Sequence, residues 1–292
     1  MLSSIALVTS LTPTFAQDRP TFRARIDTVE VNVSVKKGNN AVVGLRAEDF
    51  VLQDNGVVQQ VEALSVEAVP IDVSLFMDTS GSTQGTLSEM KDSVRRITAM
   101  LRPDDRFRLL TIGNSVINSV PWTAAGQPLP ELDVVPVGGI SLVYDAVVAA
   151  LLHSVDPGRR HLVVAMTDGE DCGSIVNPAL LREMAGRSEA VVHWILMGGR
   201  GGGPSTLATC DWGLSDTDAL KTLAEGTGGE VHSGFLNPDP VKEFKKTFDA
   251  FRVSYVLRYS PAGVALPGWH KLTVAVKQAN YTIRVRPGYF GG

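Results

Sequence analysis

The sequence predicts an α/β fold: a mostly parallel, doubly wound sheet, joined to a small β-sandwich built from both ends of the chain. Three observations carry this. Between residues 70 and 251, apolar runs alternate with helix-period segments, the pattern of a parallel sheet covered by helices. Residues 24–69 and 252–290 read instead as short strands with alternating apolar positions. Each end is too short for a comfortable core of its own, so each needs the other's strands.

Taken in order, Ile26, Val29, Val31, Val33 and Val35 largely alternate, and Lys37-Gly38-Asn39-Asn40 is a turn cluster. Asp54-Asn55-Gly56, set between Val51-Leu52 and Val57-Val58, is a strong hairpin signal. Pro70 marks a boundary before Val73 to Met77, an apolar run that reads as a buried central strand. Leu87, Met90, Val94, Ile97 and Leu101 recur at helical spacing until Pro103 stops them. Arg106 to Ile112 is the next strand, and Val116 to Val120 turns back beside it. Leu142 to Val155 reads as a buried helix and Leu162 to Met166 as a strand. Asn177-Pro178 opens another helix, with Pro in its first turn. Val191 to Met197 is a strand, Asp216 to Ala224 a helix, Glu230 to His232 an edge strand, and Pro238 to Phe251 an amphipathic helix. Val253 to Tyr259, Lys271 to Val276 and Tyr281 to Val285 alternate, the last two joined by Gln278-Ala279-Asn280.

Bulk properties bound the function. At 292 residues the chain fits one large domain or two ordinary ones, and 44% hydrophobic content suits a sizeable core. A net charge of -4 gives no electrostatic case for nucleic acid, and no basic run suits an anionic membrane surface. No apolar stretch is long enough to span a bilayer. Ile5 to Leu11 is apolar, and Thr14-Phe15-Ala16 offers small residues for a signal peptidase, although no Lys or Arg precedes Arg19. Residues 1–16 are therefore expected to be a signal peptide, with the protein exported to a periplasmic or extracellular location. The two cysteines, Cys172 and Cys210, lie in loops expected at the same sheet edge. In an oxidising compartment they could pair; otherwise they are two free thiols.

The chemistry-bearing stretch is Asp78-Thr79-Ser80-Gly81-Ser82, directly after the central strand. Asp78, Ser80 and Ser82 alternate, so an extended loop points them the same way. Three oxygen groups then lie at a strand's C-terminal end, where open α/β sheets hold ligands. A carboxylate and hydroxyls without His or Cys suit Mg²⁺ or another hard cation. The bland reading is a Ser/Asp turn capping the following helix.

Asp-x-Ser-x-Ser after an apolar strand resembles the metal-ion-dependent adhesion site of von Willebrand factor A domains. That family's site also uses a threonine from a second loop and an aspartate from a third. Leu162-Val163-Val164-Ala165-Met166-Thr167-Asp168-Gly169 matches the third, with Asp168 as the acid. The second loop is Gly138-Gly139-Ile140-Ser141-Leu142-Val143-Tyr144-Asp145-Ala146, where similar proteins often read G-G-T-x-L-Y-D-A. Aligned from Tyr144-Asp145, the threonine position falls on Ser141; aligned from the glycines, it falls on Ile140. Ser141 keeps the hydroxyl and is preferred. Gly44-Leu45-x-x-Glu48-Asp49-Phe50 and Arg286-Pro287-Gly288-Tyr289-Phe290 are similar to bacterial A-domain proteins with flanking strands, including acidobacterial-type ones. The resemblance then covers nearly the whole chain.

The resemblance implies a binding module, not an enzyme, with Mg²⁺ (or Mn²⁺ or Ca²⁺) held by Asp78, Ser80, Ser82, Ser141 and Asp168. Ser80, Ser82 and Ser141 are expected to ligate directly, and the two acids largely through water. The implied partner is a protein presenting Asp or Glu. Gly139, Glu170, Asp171 and Trp212 are expected on the rim that sets specificity. Two alternatives stand beside this reading: an assembly component with a vestigial metal site, and a metallohydrolase. Hydrolysis would need a base or a second metal, for which the sequence offers only Glu170-Asp171. His153, His161, His193, His232 and His270 are scattered and form no H-E-x-x-H pair, and no G-x-S-x-G elbow is present. Gly198 to Gly203 is glycine-rich but lacks the lysine of a phosphate loop.

Overall fold

Alternating valines make the first strand: Val31, Val33 and Val35 of β1 (Val29–Lys37) are buried, with half-buried residues between them. The structure, a computed structural model, describes residues 28–38, 40–65, 69–130, 132, 135–153, 156, 158–197, 216–233, 238–277 and 280–292. β2 (Asn40–Ala41) folds back on β1. β3 (Phe50–Asp54) and β4 (Val57–Gln59) form the expected hairpin. Asn55 and Gly56 take φ of 47° and 83°, a doubly left-handed turn that matches the twist of its strands. β5 (Glu62–Ser65) follows.

The middle of the chain then alternates. In order it runs β6 (Ile71–Asp78), α1 (Leu87–Thr98), β7 (Arg106–Ile112), β8 (Val116–Ala124), α2 (Val143–Leu151), β9 (Arg160–Thr167), α3 (Pro178–Arg187), β10 (Val191–Leu196), α4 (Asp216–Thr227), β11 (Val231–His232) and α5 (Pro240–Arg252). α3 starts where Asn177 Oδ1 accepts from Ala179 N (3.0 Å) and Leu180 N (2.9 Å), with Pro178 at the position that needs no donor. The six strands lie in the order β11-β10-β9-β6-β7-β8. All neighbours are parallel except β8, which returns antiparallel along β7.

β6 sits inside this sheet and is buried at every position. Ile71, Val73, Leu75 and Met77 meet α1 and α5 through Met90, Val94, Ile97, Phe244 and Phe248. Phe76 faces the other way, into a core with Val147 of α2, Leu181 of α3 and Leu220 of α4. Burial on both faces explains why the strand reads as a continuous apolar run instead of an alternation. Because β6 and β9 are adjacent and parallel, the loops that follow them emerge side by side.

The C-terminal strands are β12 (Tyr255–Tyr259), β13 (Gly268–Val276), β14 (Thr282–Val285) and β15 (Gly288–Gly291). They interleave with the N-terminal set into two sheets, β14-β1-β12-β5 with β2 beside β1, and β15-β13-β3-β4. Val31, Val33, Phe50, Leu52, Leu257 and Leu272 fill the core between them. Two details differ from the sequence reading. β13 and β14 are consecutive in the chain but belong to different sheets, so they do not form a hairpin. The Arg286-Pro287-Gly288-Tyr289-Phe290 ending adds a strand, β15, against β13. Gly288 permits that approach, since a Cβ there would lie 2.3 Å from the His270 carbonyl oxygen.

Buried arginines join the sandwich to the helices and the six-stranded sheet. Arg160 donates to Asn32 Oδ1 (2.7 Å), the Phe251 carbonyl (2.7 Å) and Ser254 Oγ (2.6 Å). Arg286 donates to the carbonyls of Ala185, Gly186 and Ser188, satisfying the end of α3 from a sandwich strand's terminus. Removing either side chain strands several buried acceptors. Arg160→Ala is expected to destabilise the protein by about 3 kcal/mol in urea unfolding, the scale for breaking a buried charged network. A loss below about 1 kcal/mol would show that the contact is dispensable.

Candidate metal centre

Asp78 ends β6 and is fully buried. A buried carboxylate needs donors, and it takes them from three segments. Ser80 N donates to Oδ1 (2.9 Å), turning the chain at once after the strand. Ser141 Oγ (3.1 Å) and Thr167 Oγ1 (2.6 Å) both donate to Oδ2. Thr83 Oγ1 closes the first loop by donating to the carbonyls of Asp78 (3.0 Å) and Ser80 (3.1 Å). Ser80 Oγ and Ser82 Oγ lie 3.2 Å apart, so the predicted alternation does bring these hydroxyls together.

The second loop is pinned to the first by backbone. Gly138 N donates to the Thr79 carbonyl (2.7 Å), and Gly81 N to the Gly139 carbonyl (3.1 Å). Gly139 has φ of 86°, and a Cβ there would lie 2.2 Å from Asn114 Oδ1, which accepts from Ile140 N. Glycine is needed at this position for both reasons. The two alignments of this loop separate in the structure: Ser141 is buried against Asp78, and Ile140 is 40% exposed.

The third loop brings Asp168, partly buried and hydrogen-bonded by the Ser82 hydroxyl and by Glu170 N (3.2 Å). Its carboxyl is pushed up to about 6, first by burial and then by the charge of Asp78, against the pull of Ser82. Among the described residues no Lys or Arg pairs with either acid. Asp78, Ser80, Ser82, Ser141 and Asp168 thus form one cluster of carboxylates and hydroxyls, with two acids side by side. That donor set fits a hard divalent cation, and a positive ion is what the crowded carboxylates lack.

The rim differs from its expected form at one residue. Glu170 and Gly139 are exposed, but Asp171 is fully buried. It accepts from Tyr144 N (2.8 Å), Ser174 N (3.2 Å) and Ser174 Oγ (2.6 Å), so it organises the start of α2 and does not face a partner. Burial raises its carboxyl, and these donors oppose the shift. Asp145 fixes the same turn from the helix side, accepting from Ile175 N (3.1 Å) and Val176 N (2.9 Å). Cys172 is disulfide-bonded. Cys210 and Trp212 lie outside the described residues.

Sequence reasoning passed over Thr167 and Asn114. The first had a signal, since it is the threonine of the same Thr-Asp-Gly string; the second had none. The histidines read as scattered are also not all apart. His193 and His232 stack with ring centroids 5.7 Å apart. His161 is structural, its Nε2 lying 2.8 Å from Ser74 Oγ inside the sheet.

Asp168 gives a pH-dependent consequence. Its folded value lies above that of a free carboxyl, so its stabilising contribution is complete below about 4 and is lost as pH rises through about 6. The cation-free protein at pH 7.5 should therefore gain about 1–2 kcal/mol from Asp168→Asn, which keeps the Ser82 hydrogen bond and removes the charge. Urea unfolding in EDTA measures this. An unchanged or lower midpoint would show that the two acids do not repel there.

No family model and no curated protein matches the chain. Solved structures do. A von Willebrand factor type A protein from Catenulispora acidiphila is 10% identical, with a TM-score of 0.47 over 92% of this chain and 75% of that one. The manganese-loaded TRAP protein of Plasmodium vivax is 15% identical, with a TM-score of 0.43 over 81% of this chain and 97% of that one. BatB from Bacteroides thetaiotaomicron is 13% identical, with a TM-score of 0.43 over 62% of this chain and 98% of that one. The chain is similar to von Willebrand factor A domains, as its three loop motifs imply.

Proposed function

We propose that the protein is a cation-dependent binding module. The observation that supports this best is the convergence of Asp78, Ser80, Ser82, Ser141 and Asp168 from three loops onto one cluster. These residues would hold Mg²⁺, with Mn²⁺ or Ca²⁺ as alternatives. When bound, the ion would supply an incompletely neutralised charge and an open coordination position for the Asp or Glu of a protein partner. The hydroxyls matter because they add oxygen without charge. Ser80, Ser82 and Ser141 serve as direct ligands in this reading, while Asp78 and Asp168 act largely through water.

Glu170 and Gly139 form the rim, together with Trp212 from the loop outside the described residues. The hydrolytic alternative loses support. Asp171 was half of the only acid pair available as a base, and its carboxylate is buried and occupied by donors from its own loop. Export, boundaries near residues 70 and 252, and a Cys172–Cys210 bridge belong to the same proposal. Non-reducing peptide mapping of protein from an oxidising compartment should recover Cys172 and Cys210 as one linked pair. Two alkylatable thiols would remove the bridge.

Titration calorimetry with Mg²⁺ and Mn²⁺ tests the centre. Asp78→Ala should abolish binding, and the wild-type affinity should fall about tenfold per pH unit below about 6 as Asp168 takes a proton. Surface plasmon resonance against a captured partner should lose its signal in EDTA and in Ser80→Ala, with circular dichroism unchanged. Affinity that survives both would favour the assembly reading with a vestigial metal site.

A further inference from the structure

A second cluster lies away from the oxygen site, on the strand pair β10–β11 at one edge of the six-stranded sheet. His193 of β10, His232 of β11 and Glu230 just before β11 each place a ligand-type atom within 4.8 Å of the others. His193 is 6% exposed, and its Nδ1 has no hydrogen-bond partner. A buried ring nitrogen without a partner is costly unless something completes it. His232 is oriented from behind: its Nδ1 lies 3.0 Å from Glu243 Oε2 on α5. An N–H donated to that carboxylate leaves Nε2 with its lone pair, the arrangement usual for a histidine that ligates a metal.

Nε2 of His232 lies 2.9 Å from Thr247 Oγ1, a helical hydroxyl that can turn to the carbonyl four residues back. Glu230 is held by Arg284 at one oxygen, leaving its other oxygen for a ligand. A cleft of about 40 Å³ adjoins the cluster between the sheet edge and the sandwich, lined in part by Ser34, Lys36, His193, Glu230 and Arg284. That is room for an ion and a water or two.

We infer that His193, Glu230 and His232 form a second metal site, selective for a borderline ion such as Zn²⁺ and separate from the oxygen cluster at Asp78. The charges around it set the selectivity. Glu230 and Glu243 face Arg284, Lys36 and Lys246, so carboxylate attraction alone would not hold a hard cation there. Two imidazoles with one carboxylate instead suit Zn²⁺, with the remaining position open to water. Bound there, the ion ties β10 to the short edge strand β11, beside the sandwich contact that Arg284 makes through Glu230.

Cobalt is the probe, because nitrogen-ligated, low-coordinate Co²⁺ absorbs in the visible and the hydrated ion does so only weakly. The EDTA-stripped full chain should bind one equivalent of Co²⁺ with a visible band, and Zn²⁺ should bleach it. His193→Ala and His232→Ala should each weaken the band's apparent affinity at least about tenfold. Glu230→Gln, at a half-buried position, should do the same with circular dichroism unchanged, which keeps the test decisive if a buried histidine variant fails to fold. Asp78→Ala should leave the band intact. Absence of a band in the wild type, or its survival in Glu230→Gln and a folded histidine variant, would overturn the site.

Discussion

The burial of Asp78 is the constraint on which the rest of the site depends. Its carboxylate stands at the end of the central strand, fully buried, and protein donors meet its lone pairs. The donors come from three separate stretches of chain: Ser80 N, Ser141 Oγ and Thr167 Oγ1. Satisfying one acid therefore fixes three loops relative to one another. The loops are held again by backbone, through Gly138 N on the Thr79 carbonyl and Cys172 N on the Ser141 carbonyl. The three loops are thus cross-linked by hydrogen bonds, and under the proposed binding role that would keep down the ordering entropy of capture.

Within this frame the site keeps two acids close together. Asp168 sits beside Asp78 with hydroxyls around it and its protonation shifted toward neutrality. Asp171, which is buried, and Asp145, which is half-buried, are each met by N–H or O–H donors from the loop that follows β9 or the start of α2. Those two acids build the turn, whereas Asp78 and Asp168 stand beside each other with no Lys or Arg paired to them among the described residues.

The sandwich is less a second unit than a closure of the first. Its strands come from both ends of the chain, and each of its two sheets contains strands from both. Arg160 reaches from the six-stranded sheet to Asn32, while Arg286 reaches back to the end of α3. Asp54 ties the sandwich internally: fully buried, it accepts from Tyr259 OH (2.8 Å) and pairs with His270 Nδ1 (2.8 Å). The hairpin of the N-terminal segment is thereby bonded to strands that follow about two hundred residues later.

The local features were legible in the sequence because their causes are local. Asp54-Asn55-Gly56 encodes its turn through two left-handed positions, Asn177-Pro178 encodes a helix start, and the run ending at Asp78 encodes a strand buried on both faces. Spacing also put Asp78, Ser80 and Ser82 on one side of one loop. Tertiary structure decided the rest. Whether Ser141 or Ile140 faces the acid depends on how Gly138 and Gly139 bend against Asn114, a contact between loops. Asp171 reads like an exposed loop charge, as Glu170 is, until Tyr144 and Ser174 fold over it. His193 and His232 look unrelated along the chain and meet only because β10 and β11 pair in parallel. A sequence carries the preferences of each segment, but which distant groups share a buried volume is set by how the segments pack.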